Sequence, residues 1–85
     1  MNLRDVTRLA RELSDEMTGQ AFDSIVRCEK REDGWIVEVD VLESKARLGD
    51  DDLLTTYQYE LDAEGGLTGY RRLRKHSRFE NDAVA

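Results

Sequence analysis

The sequence predicts an α+β fold, one N-terminal helix packed on a four-stranded antiparallel β-meander (α-β-β-β-β). Three observations predict it. Apolar residues recur at steps of three and four as far as Gly19 and at steps of two beyond it. The alternating runs are separated by short polar or glycine-containing connections of the kind that turn a chain between antiparallel strands. No proline occurs anywhere to break the helix or a strand.

The helix comes first. Leu3, Val6, Leu9, Ala10, Leu13 and Met17 fall on one stripe, with Arg4, Arg8, Arg11, Asp15 and Glu16 over the remaining surface. Asn2 is placed to cap the first turn, because its side-chain oxygen can accept an otherwise unpaired N–H. Gly19 follows the last periodic residue, where a left-handed cap is wanted.

The first two strands form a hairpin. Val26 and Cys28 alternate with Arg27 and Glu29, and Trp35, Val37, Val39 and Val41 alternate with Ile36, Glu38 and Asp40. Asp33-Gly34 lies between the runs and favours a two-residue type I′ turn. That turn pairs Glu32 with Trp35, Cys28 with Val39, Val26 with Val41 and Arg27 with Asp40. A polar connection over residues 44–52, with the run Asp50-Asp51-Asp52, leads to the third strand. There Leu53, Thr55, Tyr57, Tyr59 and Leu61 share one face. A turn at Asp62-Ala63-Glu64-Gly65-Gly66 returns the chain into a fourth strand from Leu67 to about Ser77. Pairing Leu61 with Leu67 sets Tyr59 opposite Gly69 and Thr55 opposite Leu73. Helix stripe and inner sheet face bury one another, and the second sheet face is expected to stay wet. Residues 1–80 read as one domain and 81–85 as a frayed tail.

Composition narrows the function. An 85-residue chain with 39% apolar and 38% charged residues has one thin core and little room for an enclosed site. That weighs against an enzyme. Net charge of −6 disfavours non-specific attraction to nucleic acid or an anionic membrane. The charge is uneven: eleven acids against Lys45 and Arg47 between Glu32 and Glu64, then five cations and no acid between Arg71 and Arg78. Such polarity suits oriented docking to a complementary partner. The single cysteine, Cys28, excludes an intrachain disulfide and fits a reducing compartment. No apolar run approaches the length of a membrane span, so a cytoplasmic protein is expected.

One ordered set of residues is familiar. Leu9-Ala10-Arg11-Glu12-Leu13, Gly34-Trp35, Val37-Glu38-Val39, Tyr57, Leu61-Asp62 and Gly66-Leu67-Thr68-Gly69-Tyr70-Arg71-Arg72 together resemble the gas vesicle protein O (GvpO) family, from about Val6 to Arg78. The resemblance implies a non-catalytic accessory role in forming gas vesicles, the protein shells that give buoyant cells their lift. It also implies gas vesicle proteins as partners: the ATPase GvpN, and the shell protein as a second candidate. The family supplies no catalytic residues and no cofactor.

The candidate contact residues are Tyr70, Arg72, Arg74, His76 and Arg78, which an unbroken strand places on one face, with Arg71 and Lys75 on the other beside Leu73. Two readings fit this strip: a docking rib for an acidic protein surface, or an edge strand guarded by charge and paired internally. Ile36, Leu42 and Leu54 are expected on the outer face, where with Tyr70 they would make a modest apolar patch. Asp50-Asp51-Asp52 lacks the ligand spacing of a calcium loop. His76 has only Ser77 beside it in sequence, and Ser77 points the other way. Cys28 lies in the core, so no catalytic group or metal site is expected. Two alternatives stay open. One is a small peptide-binding or inhibitory domain using an exposed sheet edge; the other is a nucleic-acid-binding regulator.

Overall fold

The computed structural model describes residues 2–44 and 52–78. The loop run Asp50-Asp51 and the expected tail at 81–85 lie outside the described residues. Helix α1 (Leu3–Thr18) is followed by β1 (Ala21–Arg31), β2 (Gly34–Ser44), β3 (Leu53–Asp62) and β4 (Leu67–Ser77). The strands form one antiparallel sheet in the order β1-β2-β3-β4, the meander expected.

The helix ends are built as the sequence indicates. Asn2 Oδ1 accepts from the Asp5 N–H at 3.0 Å, and Asp5 Oδ2 accepts from the Asn2 N–H at 3.3 Å, a reciprocal capping box. Gly19 takes φ 67°, a left-handed cap from which its N–H reaches the Asp15 carbonyl. Val6 and Ala10 are fully buried and join Val37, Val39, Val41, Tyr59 and Leu61 in the core. Ser14 is buried as well; its hydroxyl donates to the Ala10 carbonyl at 2.8 Å and lies 3.3 Å from the Tyr59 hydroxyl. Leu3, assigned to the stripe, is exposed instead.

Register differs from expectation in three places. The first hairpin turns at Glu32-Asp33, so Arg31 faces Gly34 and Cys28 faces Val37. Neither Asp33 nor Gly34 has positive φ, and no type I′ turn forms at that pair. Gly34 belongs to β2 because β3 lies against it there: a Cβ would sit 1.9 Å from the Leu61 carbonyl oxygen. Cys28 still meets an inward valine, since the register moves by two and side chains keep their faces.

Further along β1, shifts between Phe22 and Ser24 and between Ile25 and Arg27 insert bulges. Val26 is expelled to 44% exposure, and Phe22 takes the place opposite Val41. Arg27 accordingly faces Glu38, not Asp40, and bonds it at 2.9 Å.

In β4, Leu67 does face Leu61. Register shifts at Thr68 and Leu73 then set Tyr70 opposite Tyr59 and Lys75 opposite Thr55. Cross-strand partners share a face, so these bulges move Tyr70 and Arg72 to the helix side. Arg74 and His76 remain on the outer face, opposite Thr56 and Leu54.

Candidate protein-docking surface

The outer face is not the wet surface expected of it. Leu54 is only 3% exposed and His76 only 5%, with Asp40, Thr56, Glu38 and Gln58 also buried or nearly so. The polar groups satisfy one another. The Thr56 hydroxyl bonds Asp40 Oδ1, and His76 Nε2 lies 3.2 Å from that same oxygen and 3.1 Å from Thr56 Oγ1. Glu38 receives Arg27, with Gln58 Nε2 at 3.4 Å. Among the described residues no buried side-chain polar atom lacks a partner, as burial in a low-dielectric interior requires.

Arg78 draws the two sheet edges together at this end. Its guanidinium reaches Asp23 on β1 at 2.8 Å and Asp52, just before β3, at 3.2 Å. Edge strands of a flat four-stranded sheet stand about 14 Å apart, beyond an arginine's reach, so the sheet must curl here. The Arg78 hydrogen bonds hold the Asp23 carboxyl below its usual range against a weaker opposing effect of burial.

The predicted contact residues therefore separate. His76 is part of a buried polar cluster, and Leu54 is buried beside it. Neither lies on an accessible patch, and Tyr70 is on the opposite face from both. Arg78 is engaged by Asp23 and Asp52. Ile36 is half-buried and lines an open groove of ≈ 500 Å³ at the hairpin end of the sheet, with Trp35, Glu60 and Asp62. Lys75 is paired with Glu43 at 3.1 Å. That carboxyl is held low first by the Thr55 hydroxyl and then by Lys75. Arg71, Arg72 and Arg74 are exposed, and none of them forms an ion pair among the described residues.

The helix-side face is sealed through most of β3, where Thr55, Tyr59 and Leu61 are 3% exposed or less, and opens at β4. Helix α1 packs on β1 and β2, touching β3 through the Ser14–Tyr59 contact. Over β3 and β4 the face carries Tyr57, half-buried, Tyr70, 55% exposed, and Leu67, 38% exposed, with Arg72 opposite Tyr57. The Tyr59 and Tyr70 rings lie 6.5 Å apart and tilted by 37°, within the range of favourable aromatic pairs. Burial raises the Tyr59 hydroxyl pKa, with Ser14 opposing. The sequence places Tyr57 on the inner face, where it packs against the core; the exposure of Leu67 is not anticipated there.

The His76 cluster is not arranged as a catalytic relay. In a relay, the imidazole takes the hydroxyl on one nitrogen and the carboxylate on the other. Here Asp40 and Thr56 both meet Nε2 of His76, while Nδ1 faces the Ser77 carbonyl at 3.2 Å. The cluster positions the ring. Burial pushes the Cys28 thiol up, away from the reactive thiolate. Among the described residues no group of three or more His, Cys, Asp or Glu is placed to hold a metal ion, and no helix is long and apolar enough to cross a membrane.

Fold and surface thus define a small α+β protein whose edge strand β4 carries exposed arginines on both faces and an exposed tyrosine. The comparisons name the family. The chain belongs to the GvpO family, gas vesicle synthesis protein GvpO, whose family model matches residues 1–82. It is 47% identical over 68 residues to gas vesicle protein O of Streptomyces sp. (strain CB03234), covering 79% of this chain and 52% of that one. Identity is 30% over 69 residues to gas vesicle protein O1 of Halobacterium salinarum, covering 81% and 58%. It is 33% over 79 residues to gas vesicle protein O of Haloferax mediterranei, covering 92% and 56%. The chain therefore spans about half the length of the curated relatives it matches. No solved structure matches it.

Proposed function

We propose that this chain is a non-catalytic accessory protein of gas vesicle formation that works by binding protein partners through the cations of β4. Its partners are gas vesicle proteins, the ATPase GvpN in first place and the shell protein in second. The site of action is the cytoplasm, at the periphery of the vesicle. Family membership supports the biological setting.

The observation that carries the mode of action is the division among the basic residues of β4 and Arg78 just beyond it. Lys75, His76 and Arg78 bond acidic side chains of this chain, whereas Arg71, Arg72 and Arg74 are exposed and form no ion pair among the described residues. On a protein of net charge −6, three guanidinium forks left open to solvent are available to the carboxylates of a partner. Strand addition at the β4 edge is disfavoured by its bulges at Thr68 and Leu73, which break the even ladder an added strand would need. The test is capture of the gas vesicle ATPase and shell protein by the wild-type chain and by Arg72→Glu/Arg74→Glu. Loss of capture in a variant that keeps its fold is expected. Undiminished capture removes these cations from the account.

A further inference from the structure

We propose that this chain associates with further copies of itself head to tail, Leu3 of one copy entering the groove at the hairpin end of the next. The arginines around Leu3 then meet the carboxylates on the rim of that groove. This goes beyond the partner-binding reading and uses none of Arg71, Arg72 or Arg74.

The knob is on α1. Leu3 is the most exposed large apolar side chain among the described residues, at 57%. It borders one shallow hollow of the helix surface together with Arg4, Arg8 and Arg11, so the four are neighbours, and the arginines are all exposed. Arg8 has Asp5 at 3.5 Å, whereas Arg4 and Arg11 form no ion pair among the described residues. The Arg11 guanidinium lies 5.1 Å from the Phe22 ring centroid, a contact that steadies it and leaves its charge intact. Helix stability does not account for this pattern. Arg4 in the first turn, and Asp15 and Glu16 in a last turn with no cation, are of the wrong sign for the helix macrodipole.

The hole is on the other side of the sheet. Ile36 and Glu60 are cross-strand partners on the outer face, and both line the groove of ≈ 500 Å³ at the hairpin end. Trp35, Ile36 and Leu61 give it apolar surface, and Glu32, Asp33, Glu60 and Asp62 supply four carboxylates. None of the four is in an ion pair among the described residues. The cation in the lining, Arg31, lies 3.5 Å from Glu29.

Knob and hole are thus each apolar at the centre, and their surrounding charges are opposite in sign, the complementarity that sets a contact's register. Both halves are present on one molecule, which makes a second copy the occupant. Helix α1 packs on the inner face and the groove opens on the outer one, so a copy whose Leu3 is engaged still offers its own groove. Such a contact is heterologous and propagates.

Sedimentation equilibrium of the 85-residue chain tests this at concentrations up to about 1 mM, since so small a contact belongs to the weak, transient class. The average mass should rise past that of a dimer with concentration. The association constant should fall about tenfold or more as ionic strength rises from about 0.05 to 0.5 M. Leu3→Asp removes the knob and Glu32→Lys/Glu60→Lys reverses the rim, all at exposed positions. Each variant alone should stay monomeric with a native circular dichroism spectrum. Mixed, the two retain one good knob and one good groove, and should form a dimer that grows no further. Arg72→Glu/Arg74→Glu should self-associate as the wild type does. A monomeric wild type, a dimer that does not extend, variants that associate alone, or no dimer in the mixture each overturns the proposal. So does loss of self-association in Arg72→Glu/Arg74→Glu, which would put the cationic half on β4. Capture of vesicle proteins, whatever its result, leaves these outcomes unchanged, so the two readings fail separately.

Discussion

Replacing His76 by alanine should destabilise the protein severely. His76 is 5% exposed, and its Nε2 lies within hydrogen-bond distance of both Asp40 and Thr56. Without the ring, the buried Asp40 carboxylate keeps, among the described residues, the Thr56 hydroxyl alone. Stranding a buried polar group costs about 1–3 kcal/mol, and the void left by the ring adds to it. The expected loss is therefore about 2–4 kcal/mol, against a total of roughly 4–13 kcal/mol for a chain this long. Urea unfolding followed by circular dichroism should show the midpoint fall with the slope m unchanged. The melting temperature should drop by on the order of 10–20 °C. Arg74→Ala, exposed on the same strand, is the control and should stay within about 0.5 kcal/mol of wild type. A His76→Ala protein as stable as wild type, or an Arg74→Ala protein equally damaged, would refute the buried cluster.

Two further outcomes follow from the geometry. Gly34→Ala places a Cβ 1.9 Å from the Leu61 carbonyl oxygen and 2.9 Å from Asp62 Cα; forcing β2 and β3 apart should cost about 1–3 kcal/mol or more, read by thermal melting. Asp23 has a lowered pKa through its hydrogen bonds with Arg78. The stability it contributes is full above the ordinary aspartate range, about 3.9, and is lost as pH falls through the lowered folded value. Wild type should accordingly outlast Arg78→Ala at neutral and mildly acidic pH, with the difference closing in stronger acid. Titration of the Asp23 carboxyl by NMR should show its pKa return toward the ordinary range in the variant.

The elements themselves were legible because each depends on local pattern. Asn2 and Gly19 bound a helix by satisfying its end groups, and alternation in β2 and β3 set one face inward. Registers that depend on bulges were not legible. The shift at Leu73 leaves the alternation of neighbouring residues looking regular, yet it carries Tyr70 and Arg72 to the face opposite Arg74 and His76. Gly34 read as a turn residue because Asp-Gly favours positive φ; the close approach of Leu61, a long-range fact, gives it a strand position instead. The burial of His76 was hidden for the same reason. Its partners Asp40 and Thr56 are 36 and 20 residues away, and the Arg78–Asp23 pair that spans the sheet edges at this end joins residues 55 apart.

What matters most is that the helix-side face is sealed as far as Tyr59 on β3 and open at Tyr70 on β4, and the three tyrosines report this directly. Hydroxyl-radical footprinting of the free protein should modify Tyr70 fastest, Tyr57 more slowly and Tyr59 least, in the order of their exposure. Protection of Tyr70 to the level of Tyr59 would mean that the face is already covered, and would contradict the account.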